Sequence, residues 1–254
     1  MRFASLGSGS KGNATLVEWQ GQYVLIDCGF TIKATEMRMA KLGVSPADLA
    51  AILVTHEHGD HIKGVAPLAR KYKLPVYMTP GTYHSKDRGV LPQLHLIEGY
   101  QAFDVAGIKV VPVAVPHDAR EPAQYVLEAG NLRLGILTDL GSISPHVEEQ
   151  YDNCHGLVME ANHDPAMLAS GPYPPSLKRR VGGLWGHLSN QQTAGFLKRL
   201  NLAKLQHLVV GHISQQNNSI ELAQQVMAEV TASVGNVHYA CQDQGFDWLT
   251  LTEH

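Results

Sequence analysis

The segment Thr55-His56-Glu57-His58-Gly59-Asp60-His61 sets three imidazoles and the carboxylates of Glu57 and Asp60 directly behind the apolar run Ala51-Ile52-Leu53-Val54. Divalent metal is the need that explains such a density of nitrogen and oxygen donors, and zinc, manganese and iron all suit it. His56 and His58, two residues apart, can project to one side of an extended segment and share an ion. Asp60 and His61, at the start of a following helix, can reach a second one. A strand that ends this way constrains the fold: other parts of the chain must bring the remaining donors to the same edge.

Four more apolar runs end in a residue of the right kind. Asp27 follows Val24-Leu25-Ile26, His117 follows Val113-Ala114-Val115-Pro116, Asp139 follows Ile136-Leu137-Thr138, and His212 follows Val209-Val210-Gly211. Each alone reads as a turn former or a hydrogen-bonded cap, but that explanation must be repeated for every run and leaves the histidine cluster unaccounted for. Sheet architectures collect function at strand ends. His117 would complete the imidazole set of the first ion and His212 that of the second, with Asp139 available to bridge. Two ions about 3.5–4 Å apart would hold a shared hydroxide and stabilise a departing oxygen, so no protein nucleophile is required.

Glycine and proline punctuate the 254 residues evenly, with no linker or charge block, and predict one α/β domain over residues 1–254. Strands are expected over 3–6, 14–19, 23–27, 51–55, 76–78, 108–115, 123–128, 132–138, 156–160 and 208–210, and a final pair near 237–239 and 246–249. Helices are expected over 32–42, 62–72, 191–200 and 220–230. Two sheets with helices outside is the economical packing. No apolar run approaches the roughly 18 residues of a membrane span, which sets a cytoplasmic location and no membrane partner as the expectation. Cys28, Cys154 and Cys241 lack CxxC spacing and read as small core residues. A net charge of −3 gives no global basic field, so nucleic-acid binding would have to rely on local patches or on metals.

His56-Glu57-His58-Gly59-Asp60-His61 reproduces the HxHxDH signature of the metallo-β-lactamase fold superfamily, and Asp27, His117, Asp139 and His212 follow its motif order. The resemblance implies an αββα sandwich of two mixed β-sheets flanked by helices, with a dinuclear site at the sheet edge. It makes His56, His58, Asp60, His61, His117, Asp139 and His212 the metal ligands, and Asp27 a residue that orients the cluster. Asp139 at the bridging position resembles the phosphodiesterase and nuclease branches rather than the zinc β-lactamases. Residues 6–13, 160–164, 186–190 and 211–218 resemble the YycJ/WalJ group, which implies DNA 5′-to-3′ exonuclease activity.

Further residues bear on the substrate. Gly7-Ser8-Gly9-Ser10-Lys11-Gly12 satisfies GxGxxG, but the strand-like residues after it argue against a dinucleotide fingerprint, which must open a helix. A tight strand-to-strand turn is the favoured reading, with Lys11 contacting a substrate phosphate as the functional one. Glu160, three residues before His163, could hold that imidazole protonated, which makes His163, alongside His187, a candidate general acid. Ser189 and Asn190 could donate to phosphate oxygens or cap the next helix. Lys178-Arg179-Arg180, behind Pro172-Tyr173-Pro174-Pro175, suggests a loop gripping a nucleic-acid strand. The expected activity is metal-dependent phosphodiester hydrolysis of nucleic acid, DNA in particular, with Asp60 also able to accept the water's proton. Hydrolysis of a small ester, thioester or cyclic phosphodiester is the alternative enzyme reading, and a scaffold without turnover is the third. A basic groove, a closed apolar pocket or an occluded site would discriminate among them; oligomeric state stays open.

Overall fold

A computed structural model describes residues 1–86 and 89–253. The apolar runs form strands in chain order: β1 (Arg2–Gly7), β2 (Ala14–Trp19), β3 (Gln22–Ile26), β4 (Leu49–Leu53), β5 (Pro75–Met78) and β6 (Gln93–Leu96) build a first sheet. β7 (Phe103–Val105), β8 (Ile108–Ala114), β9 (Ala123–Ala129), β10 (Leu132–Leu137), β11 (Gly156–Glu160), β12 (His207–Gly211) and β13 (Asn236–Tyr239) build a second. β14 (Phe246–Thr250) returns to the first sheet and pairs antiparallel with β1. Both sheets are mixed in the same way: β1 to β3 and β7 to β10 are antiparallel neighbours, whereas β3 to β6 and β10 to β13 run parallel.

Burial on both faces explains why the central strands read as near-continuous apolar runs. Phe3, Val24, Ile26 and Leu53 of the first sheet meet Val110, Tyr125, Leu134, Ile136 and Val209 of the second in a core between them. Helices Ile32–Lys41 and Val65–Tyr72 cover the outer face of the first sheet. Pro145–Tyr151, Asn190–Leu197 and Ile220–Thr231 cover that of the second. The layers are those of the expected αββα sandwich.

Parallel strands finish at a common edge. There Asp27 and His212 take left-handed backbone angles, φ 61° and 49°, directly after β3 and β12. Asp and His are among the few side chains that visit this region readily.

The expected helix over 62–72 is divided into Gly59–Ile62 and Val65–Tyr72. At the step the Gly64 N–H donates to the Cys28 carbonyl at 2.7 Å, and a Cβ on Gly64 would lie 2.1 Å from the Phe30 carbonyl oxygen. Helices Pro80–His84, Pro145–Tyr151, Pro165–Ser170 and Pro175–Val181, and strands β6 and β7, fall where the sequence marks neither helix nor strand. The loop expected to carry Lys178-Arg179-Arg180 is instead helix Pro175–Val181. Cys28 and Cys154 are free and buried, and burial pushes both thiols up to about 11. Among the described residues no helix is long and apolar enough to cross a membrane.

Candidate metal centre

The centre is organised around the buried carboxylate of Asp27. It accepts from the Thr55 N–H and hydroxyl, each at 2.8 Å, and from His61 Nδ1 at 2.7 Å. Because the Thr55 hydroxyl donates to Asp27, its oxygen is left to accept from His56 Nδ1 at 2.9 Å. His117 Nδ1 donates to the Gly186 carbonyl at 3.0 Å. Each of these contacts occupies Nδ1 and leaves Nε2 as the acceptor nitrogen turned inward, the arrangement by which partners orient metal-binding imidazoles.

Around this frame the expected donors come together. His58 Nδ1 lies 3.0 Å from His56 Nε2 and 3.2 Å from His117 Nε2. Those spacings are close to the roughly 3.3 Å edge of a tetrahedron whose nitrogens sit about 2.0–2.1 Å from a zinc ion. Asp60 Oδ2 is 3.5 Å from His61 Nε2 and 3.6 Å from His212 Nε2. Asp139 stands between the two groups, with Oδ2 3.0 Å from His61 Nε2 and Oδ1 3.3 Å from His212 Nδ1. His56, His58 and His117 form one set that could hold an ion, and Asp60, His61 and His212 another. Asp139 Oδ2 and His212 Nε2 are buried with no hydrogen-bond partner among the described residues. Burying such atoms unsatisfied costs about 1–3 kcal/mol each. The donor chemistry, the spacings and these orphaned atoms all fit divalent cations.

Charge is distributed unevenly across the centre. Burial, reinforced by the neighbouring His61, holds His56 well below the usual histidine range. At His61 burial acts in the same direction, but Asp139, Asp27 and Asp60 outweigh it and hold the imidazole well above that range. His212 is pushed up to about 10 against burial, by Asp139, Asp60 and Glu160. Burial opposes ionisation of Asp60 and Asp139, but the surrounding imidazoles hold both carboxyls well below the carboxylate range.

Glu160 does not partner His163 as the sequence suggested. Its Oε2 accepts from His187 Nδ1 at 2.9 Å and lies 3.4 Å from His212 Nδ1, while Oε1 accepts from the Leu140 and Leu188 N–H groups. His163 lies past the end of β11, where its backbone bridges to Ser189 and burial lowers its imidazole below the ordinary value. The structure gives the remaining substrate-contact candidates the following partners. Ser189 caps helix Asn190–Leu197 by accepting from the Gln192 N–H, and the Asn190 carboxamide is paired with that of Asn218. Lys11 is exposed in the turn before β2, its N–H bonded to Gln242, and it is Ser10 that reaches the cavity. Lys178 Nζ donates to the Ala169 carbonyl at 2.6 Å, and Arg180 is ion-paired with Asp118. Arg179 is exposed.

A cavity of about 350 Å³ opens over the donors and is lined by His58, Asp60, Asp139, His187 and His212 together with Asp118, Asn162, Tyr173, Arg180, Ser214 and Asn217. Two further residues reach the centre: Asp118, which adjoins His117 in sequence, and Asn13. Asp118 Oδ1 is 3.6 Å from His117 Nε2, and Asn13 Nδ2 is 3.0 Å from His61 Nε2. The Asp118 position could have been found by asking what flanks each strand-end donor. Asn13 carries no such mark.

Imidazoles and carboxylates gathered at the shared edge of two facing mixed sheets define a metal-dependent hydrolase of the metallo-β-lactamase fold. A family described as the beta-lactamase superfamily domain matches residues 22–213. Exodeoxyribonuclease YycJ of Bacillus anthracis is 35% identical over 239 residues, which cover 92% of this chain and 90% of that protein. Exodeoxyribonuclease WalJ of Streptococcus pneumoniae serotype 2 (strain D39 / NCTC 7466) is 35% identical over 263 residues, covering 99% and 97%. The crystal structure of the metallo-beta-lactamase fold protein YhfI from Bacillus subtilis superposes with a TM-score of 0.74 over 98% of each chain at 14% identity, a likeness of fold alone. The chain belongs to the beta-lactamase superfamily domain family and, within it, to the YycJ/WalJ group.

Proposed function

We propose that this protein is a dinuclear metal-dependent exonuclease that degrades DNA from the 5′ end. The observation that carries the reading is the convergence of His56, His58 and His117 on one side of Asp139 and of Asp60, His61 and His212 on the other. Relatives named exodeoxyribonucleases, matched over at least 90% of their length, support phosphodiester hydrolysis and DNA as substrate. The charged and hydrogen-bonding side chains along this open cavity favour a phosphate chain over the small apolar ester that a closed apolar pocket would suit.

Two divalent ions held there, zinc, manganese or iron, would lower the pKa of a water and offset charge building on the phosphate. The chain's own groups do the rest. Asp27 and Thr55 keep the imidazoles of His56 and His61 in one tautomer. With Nδ1–H donated to Glu160, a His187 imidazolium would carry its second proton on Nε2 and pass it to the departing oxygen, ending as the neutral Nδ1–H tautomer; on this reading His187 rather than His163 is the general acid. Asn162, Ser214 and Asn217 offer polar atoms to the phosphate oxygens from the cavity wall, and Arg180 offers a cation.

The test is incubation of protein reconstituted with zinc or manganese with single- and double-stranded DNA and RNA labelled at either end. Release of mononucleotides from the 5′ end of DNA is the expected result. Cleavage of RNA alone, or of neither polymer with any of the ions, would sink the reading.

A further inference from the structure

Residues 182–186, Gly182-Gly183-Leu184-Trp185-Gly186, form a turn whose backbone is locked to the centre. The Gly186 N–H donates to the Gly183 carbonyl at 2.9 Å and the His187 N–H to the Val181 carbonyl at 2.8 Å. The Gly186 carbonyl accepts from His117, and the Leu184 carbonyl accepts from the Ser142 hydroxyl at 3.1 Å. A Cβ on Gly141 would lie 2.5 Å from Leu184 C and Trp185 N, so the two segments touch backbone to backbone. Yet Leu184 and Trp185 are 69% and 62% exposed. A turn this well held could bury an indole but presents it to water beside Gly186 and His187, both of which line the cavity. The other two tryptophans are half-buried: Trp19 packs on the core, and Trp248 lies under the Arg2 guanidinium and donates to the Leu42 carbonyl.

Cations also stand beside this turn. Helix Pro175–Val181, next to it, buries none of its residues and carries Lys178, Arg179 and Arg180. Arg179 is exposed, Lys178 Nζ donates to the Ala169 carbonyl, and Arg180 pairs with Asp118 at the cavity. An exposed, rigid aromatic face beside cations is the combination that binds single-stranded nucleic acid, because every base has a face to stack and every nucleotide a phosphate. Rigidity limits the ordering cost of binding.

We propose that the Trp185 indole is a stacking platform for an unpaired nucleobase of the strand being degraded, placed so that the neighbouring phosphate enters the cavity. The proposal rests on the nucleic-acid reading above. Its test is binding of a short single-stranded oligonucleotide, followed by the anisotropy of a dye on the oligonucleotide, together with hydrolysis kinetics of the same oligonucleotide. Trp185→Ala should weaken binding and raise KM by about 5- to 150-fold, the range for loss of one stacked base, with kcat kept. Trp185→Phe should restore most of the affinity. An oligonucleotide abasic at its terminal positions should bind wild type and Trp185→Ala equally. Wild-type protein that binds and cleaves oligonucleotides, with Trp185→Ala indistinguishable from it, would overturn the platform alone. Wild-type protein that hydrolyses bis(p-nitrophenyl) phosphate but binds no oligonucleotide would overturn the nucleic-acid reading and the platform with it. A wild-type dimer that Trp185→Ala dissociates, with oligonucleotide affinity unchanged, would overturn the proposal and give the surface to a second copy of the chain.

Discussion

The donor cluster and the rim formed by residues 172–186 meet at one cavity and are built in opposite ways. His56, His61, His117 and His212 are buried, and each is held through a second atom by Thr55, Asp27, the Gly186 carbonyl or Glu160. Helix Pro175–Val181 buries nothing, and Arg179, Leu184 and Trp185 face solvent. A change in the cluster strands a buried charge or orphans a ligand. A change at exposed Arg179, Leu184 or Trp185 removes only the group itself, so the buried cluster is tied to the fold while these rim positions can vary at little cost in stability.

The contrast can be broken experimentally at both ends. Asp139→Ala or Asp60→Ala should abolish hydrolysis of a 5′-labelled DNA, by roughly 10³-fold or more; single-turnover assays that show full activity would remove these carboxylates from the centre. Glu160→Gln should lower kcat by roughly 10²- to 10⁴-fold with most of the bound metal retained, the signature of a lost proton donor, and metal analysis beside the kinetics reads both. Asp27→Asn should reduce metal affinity by about 10- to 100-fold in a chelator competition while the fold survives, because Asn also tolerates the left-handed backbone at this position. Replacing Lys178, Arg179 and Arg180 together by Ala should have the smallest effect, weakening DNA binding only several-fold. Since Lys178 and Arg180 are already engaged by Ala169 and Asp118, the salt slope should flatten by about 1 rather than about 3. A drop of about 3 would mean that the rim rearranges fully onto DNA.

The same contrast governs what could be read from the chain. Asp27, the 56–61 cluster, His117, Asp139 and His212 were legible because each follows an apolar run, and parallel strands bring their ends to one edge. Three-residue β7 and mostly exposed β6 were not, since so few residues carry no usable period. The four short helices each open with Pro, which reads as a turn signal although it is equally at home in a helix's first turn. Glu160 was paired with His163 because they are close in sequence. The fold instead turns His163 to a bridge with Ser189 and brings His187 in from the following loop, and tertiary placement of that kind leaves no local signal.

The groups that could hold metal come from both sheets: His56, His58, Asp60 and His61 follow strands of the first, and His117, Asp139 and His212 follow strands of the second. Ions bound among them would join points far apart along the chain and act as reversible fasteners between its two halves. Closing loops that long is entropically costly in the unfolded chain, so ligands that bind only the folded state shift the balance strongly toward it. Metal supply would then govern how long each molecule survives as well as how fast it works, and a cell short of the ion would lose the protein itself along with its turnover.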